Sequence, residues 1–243
     1  MGALVIVAAL GGVACGDDDD DEAATPTTAA ADFTAYCDAS FDIETYFAQE
    51  PEIAEDATEA QIAAAFTTYL QGAKPLIDKA IPLVPAEIKS SIDVQVAAVN
   101  QALAQVSAGT VPDEESFEDP AVQQAEATTH AFDLKNCDWN SVPVTATDYA
   151  FGGLPDQLDA GRTSIDLTNN GKELHEIVLF AKNPGVTESF DEILALPEEE
   201  AIDKVSQPIA AFAPPGDSDY TVVDLKAGSY IAVCFIPQGL ISQ

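Results

Sequence analysis

Few residues of this chain could do chemistry. Its 243 residues include two histidines, four cysteines and one methionine, with nine basic side chains against 42 acidic ones. The histidines are His130 and His175, the cysteines Cys15, Cys37, Cys137 and Cys234, and the single arginine is Arg162. Imidazoles and thiolates bind soft metals and take part in redox chemistry, so metal or redox chemistry would draw on these positions. Motifs for hydrolysis or phosphate handling are missing: the sequence has no Gly-rich phosphate loop, no Gly-x-Ser-x-Gly and no His-Glu-x-x-His. Carboxylates are so abundant that no pair of them is informative. The chain therefore reads as non-enzymatic, at most an accessory to electron transfer. His130, in a helical stretch, reads as a helix-surface histidine, and Glu176, beside His175, as a surface carboxylate.

The formal charge of −33 excludes a nucleic-acid binder, which needs clustered Lys and Arg to neutralise phosphates. At the N-terminus, Ala3 to Val13 form an apolar run followed by Ala14 and Cys15. The run falls short of the ~20 residues of a bilayer span and suits the apolar region of a signal peptide. Small residues leading into a cysteine resemble the lipobox of bacterial lipoproteins, in which the cysteine takes a diacylglycerol thioether and becomes the new N-terminus. That resemblance implies a signal peptide over residues 1–14, lipid attachment at Cys15, and a chain held at the cell membrane on its extracytoplasmic side. Gly12 stands where that family usually has Leu, and no basic residue precedes the run, which places the expected true start upstream. Asp17 to Asp21 open a stretch without large apolar residues, so residues 15–32 read as an acidic, disordered tether. With Cys15 in the anchor, three cysteines remain in an oxidising compartment: two should pair and one is left over.

Periodicity divides the remainder in two. From Phe33 to about residue 140, apolar residues recur at three and four, punctuated by Pro51, Pro82, Pro85 and Pro112. Helices are expected over about 34–48, 58–80, 85–107 and 119–134, the last opened by Asp119-Pro120, and short connections favour an antiparallel bundle. In an up-down-up-down bundle the start of the first helix and the end of the fourth lie together, which pairs Cys37 with Cys137 and leaves Cys234 free. Trp139 is expected to pack where the two halves meet. From Val142 the period becomes two. Strands are expected over 144–151, 163–168, 176–180, 210–212, 220–225 and 229–235, with short helices over 186–196 and 198–205. Asn169-Asn170-Gly171-Lys172 and Pro214-Pro215-Gly216 read as tight turns. The fold class is thus α+β: an N-terminal antiparallel helical bundle (33–140) and an antiparallel β-sandwich (142–243).

Three segments of the β half carry a second resemblance: Leu167-Thr-Asn-Asn-Gly-Lys-Glu-Leu-His175-Glu-Ile-Val-Leu-Phe180, Val223-Asp-Leu-Lys-Ala-Gly-Ser-Tyr230, and Val233-Cys234-Phe-Ile-Pro237. Together they resemble a cupredoxin domain of the kind carried by secreted bacterial lipoproteins. The resemblance implies that His175 and Cys234 are two copper ligands and that the intact protein transfers electrons or handles copper, with a redox protein as partner. A type 1 copper site also needs a second imidazole, often with an axial Met. In the family these follow the cysteine, whereas here only Phe235 to Gln243 follow, without His or Met. The chain as it stands is expected to hold no copper, and its C-terminus to be cut short of a last strand. The rival expectation is a metal-free envelope module that binds a protein or glycan.

Overall fold

A computed structural model describes residues 32–49, 51, 53–54, 56–112 and 119–237, the side chains of 207 and 208 excepted. The proposed signal peptide, Cys15 and the acidic stretch lie outside the described residues. Among the described residues no helix is long and apolar enough to cross a membrane.

The helical half follows its local signals. Helix α1 spans Thr34–Phe47. Helix α2, Glu59–Ala80, starts on a capping box: the Thr58 hydroxyl accepts from the backbone N–H of Gln61, whose side chain accepts from Thr58 N. Pro82 and Pro85 delay the next helix, so a 3-10 turn (Ile81–Leu83) intervenes and α3 begins only at Lys89, later than the expected 85. Helix α3, Lys89–Ser107, stops at Gly109 (φ +80°), where Gly109 N donates to Val106 O and Thr110 N to Gln105 O. That paired ending needs a left-handed residue after the helix, which Gly adopts without steric cost. Helix α4, Pro120–Asn136, has Asp119 as its cap and Pro120 at its first position. Consecutive helices pack on one another, α1, α2 and α3 around Leu70, Ala102 and Val106. Cys37 and Cys137 form a disulfide that ties the start of α1 to the end of α4.

The β half makes two sheets. The first has the order β2-β1-β3-β6 and the second β5-β4-β7, with β1 Asn140–Thr147, β2 Ala150–Gly152, β3 Gly161–Asn169, β4 His175–Lys182, β5 Val205–Ala213, β6 Ser218–Leu225 and β7 Tyr230–Val233. Three expectations need correction. The strand read as 144–151 is two strands, because Tyr149 (φ 72°) turns the chain back and pairs Thr147 with Ala150. The sheets are not wholly antiparallel: β3 returns along β1 in parallel, Val144 opposite Leu167. The tight turn expected at Asn169 to Lys172 is instead a bend, in which Asn169 Oδ1 accepts from Gly171 N, and it crosses between the two sheets. The short helices also shrink to α5 (Phe190–Leu194) and α6 (Glu198–Ile202), while β5 starts at Val205 and carries Pro208 on an edge strand, where proline is tolerated.

Alternation decides which face is buried. Val142, Val144 and Ala146 of β1 and Ile165 and Leu167 of β3 meet Ile177 and Leu179 of β4 and Ala211 and Ala213 of β5 in one core between the sheets. The outer face of the first sheet is covered by the helices. There Val222 of β6 joins Tyr36, Cys37, Phe41, Ile88, Cys137 and Trp139 in a second core. Trp139 thus packs where helices and sheet meet, as expected. The single arginine clamps the same joint: Arg162 Nη1 donates to Asp38 Oδ1 at 2.7 Å and its guanidinium lies 4.6 Å over the Phe41 ring.

Candidate functional site: a thiol and an imidazole on one strand face

Asn169, the last residue of β3, is fully buried. Its Nδ2 donates to Glu173 O and Ala213 O at 2.8 Å each, and its Oδ1 accepts from Gly171 N at 2.8 Å. Asn169 O also accepts from Gly216 N, which ties in the Pro214–Gly216 turn. A single buried amide thereby fixes the crossing between the sheets and sets His175 as the first residue of β4. The imidazole is 8% exposed. The crossing passes tightly over it: a methyl group at Gly171 would lie 2.7 Å from His175 Nε2 and 2.6 Å from Asp148 Oδ1, so only glycine fits.

Asp148 sits on the β1–β2 turn. Its Oδ1 accepts from Lys172 N at 2.8 Å and lies 3.5 Å from His175 Nε2. The Lys172 amide hydrogen bond, more than the neighbouring imidazole, holds the Asp148 carboxyl below the usual carboxylate range. At 3.5 Å the imidazole contact is too long for a good hydrogen bond, and the buried Nε2 has no hydrogen-bond partner.

Cys234 follows β7 directly. The β4–β7 register pairs Val178 with Val233 and Leu179 with Ala232. One further step sets Cys234 opposite Ile177, on the strand face that also carries His175. The segment beyond is anchored by Glu176 Oε1, which accepts from Phe235 N at 2.9 Å, and by an edge contact of Phe235 with Phe180 at 5.8 Å. Glu176, read from sequence as a surface carboxylate, therefore fixes the backbone next to the thiol. Cys234 is a half-buried free thiol. It lines, together with His175, Thr147, Phe151 and Ile236, a cavity of about 380 Å³ at one end of the two sheets.

The expected pair is thus brought to one cavity, while among the described residues no three His, Cys, Asp or Glu side chains form a group that could hold a metal ion. His175 and Cys234 supply two of the donor types of a type 1 copper site, and the trigonal set is not completed by the described residues. His130 is far from a free helix surface. Its Nε2 is 2.7 Å from Asp166 Oδ1 and its ring stacks on Tyr220 at 3.6 Å, so it belongs to the joint between α4 and the first sheet. The sequence reading gave neither Asp148 nor Asn169 a role at the site. An Asp before a turning Tyr and an Asn at a strand end were their only signals, and both patterns are common in loops. Comparison with family models, with curated proteins and with solved structures finds no match.

Proposed function

We propose that the chain is a lipid-tethered extracytoplasmic protein whose β half is a cupredoxin-like module handling copper through Cys234 and His175. The observation that carries this reading is the convergence of the free thiol and the buried imidazole on one cavity from adjacent strands. Thiolate selects soft metals, and a pre-shaped pair of soft donors limits rearrangement when one electron moves. The described residues supply two donors, and the proposal requires a third from outside them. His175 is held by the crossing that Asn169 fixes, and Cys234 by the Glu176–Phe235 bond, so both donors sit on rigid supports. The Cys37–Cys137 disulfide suits an oxidising setting, and lipidation of Cys15 would hold the chain at the membrane.

Titrating the full-length protein with cupric ion tests this reading. The expected result is one equivalent bound, with intense thiolate-to-copper absorption in the visible that Cys234→Ser abolishes. No such absorption, with Cys234 alkylated equally fast with and without copper, overturns it and leaves a metal-free interaction module.

A further inference from the structure

The two ring nitrogens of His175 meet different surroundings. Nε2 is buried against the crossing between the sheets, where a methyl on Gly171 would lie 2.7 Å from it. The oxygen beside it is Asp148 Oδ1, at 3.5 Å. The parallel return of β3 along β1 brings these groups together. It sets Asn169 opposite Ala146, and Asn170 N donates to Ala146 O, so the β1–β2 turn and the crossing lie at the same end of the first sheet. Asp148 Oδ1 also accepts from Lys172 N at 2.8 Å. One carboxylate oxygen thus ties the turn to the crossing and lies against the imidazole. The imidazole in turn lines the cavity with Cys234. With Nε2 closed off, Nδ1 is the nitrogen left to meet anything held there.

A neutral imidazole carries one proton, and what each nitrogen faces decides which one bears it. A carboxylate can only accept. A lone pair on Nε2 would be repelled by Asp148, whereas an N–H is attracted to it, because charge still acts at 3.5 Å although good hydrogen-bond geometry has lapsed. Among the described residues no group donates to Nε2, so nothing stabilises a lone pair there.

We propose that Asp148 is a positioning residue for His175: its carboxylate keeps the proton on Nε2, which leaves the Nδ1 lone pair for the cavity shared with Cys234. The role toward a metal rests on the copper reading above, whereas the tautomer does not. Ligating imidazoles commonly donate their second N–H to a carboxylate, and loss of that partner costs about 10–100-fold in metal affinity. Asp148 acts only through the imidazole, and its bond to Lys172 N fixes it at the back of the ring.

Nitrogen-15 NMR of the metal-free, full-length protein at about pH 8.5, where an ordinary imidazole is neutral, reads the tautomer directly. Wild-type His175 should be protonated at Nε2 alone. Asp148→Ala should give a mixture of both tautomers. Asp148→Asn should restore the Nε2–H form, because its amide oxygen can still accept from Lys172 N and face Nε2. His130, the chain's other histidine, should keep its resonances in both variants. Cupric affinity should fall about 10–100-fold in Asp148→Ala and recover in Asp148→Asn. The proposal is overturned if wild-type His175 is protonated at Nδ1, or if Asp148→Ala keeps the Nε2–H form alone, as a carboxylate that merely braced the turn would allow. A wild type that binds no cupric ion would overturn the copper reading, while the metal-free tautomer still tests Asp148 by itself.

Discussion

Replacing Cys37 and Cys137 together by alanine removes a cross-link between residues 100 apart. In the chain-entropy picture, freeing a loop of that length costs about 4–5 kcal/mol, most of it through the enlarged unfolded ensemble. Both cysteines are buried, 5% and 9% exposed, among Tyr36, Phe41, Ile88 and Trp139, so alanine adds a small packing loss and leaves no buried hydroxyl behind. That cost is a large share of the 5–15 kcal/mol that typically holds a fold together. At roughly 2–4 °C per kcal/mol for a chain of this size, melting should fall by about 8–20 °C. Calorimetry of the wild type with and without reductant, beside the double variant, measures it. The single variant Cys37→Ala should cost about as much as the double, because either change opens the same loop. An unchanged melting temperature on reduction, or single-variant losses that add, would refute the reasoning.

Asn169→Ala removes one buried hydrogen bond, to Ala213 O, and two half-buried ones, to Glu173 O and from Gly171 N, and should cost about 3–5 kcal/mol in urea unfolding. Gly171→Ala drives a methyl into His175 and Asp148. It should displace the imidazole, seen as shifted His175 ring resonances, and destabilise by about 1–3 kcal/mol. Leu167→Ala, at a fully buried site between the sheets, should lose about 2–5 kcal/mol of stability by denaturant titration. The acid side carries a separate prediction. Burial alone would raise the Asp166 carboxyl, but hydrogen bonds to His130, Ser164 and Ser141 bring it below its ordinary value. Its stabilisation is therefore present at neutral pH and lost as pH falls through the depressed value. Asp166→Asn should flatten the acid limb of stability against pH.

Much of the helical half was legible because its signals are local. Thr58 with Gln61, Asp119 with Pro120, and Gly109 fix ends that depend on a few neighbouring residues. The Cys37–Cys137 pair was legible because bundle topology brings two chain-distant ends together. His175 and Cys234 were singled out by the cupredoxin resemblance, and only the β4–β7 register sets them on one face. Pairing between distant strands has no local signature, which is why the parallel β1–β3 ladder was missed. The hairpin at Asp148-Tyr149 was hidden because alternation runs through it almost unbroken. His130 was misread because only the docking of α4 on the first sheet pairs it with Asp166 and stacks it on Tyr220.

Copper-edge X-ray absorption of the copper-loaded full-length protein tests most directly whether His175 and Cys234 serve one metal. The predicted spectrum contains one sulfur and at least one imidazole nitrogen in the first coordination sphere, with the sulfur lost in Cys234→Ser and one imidazole lost in His175→Gln. A sphere of oxygen and nitrogen without sulfur, identical in wild type and both variants, would contradict it.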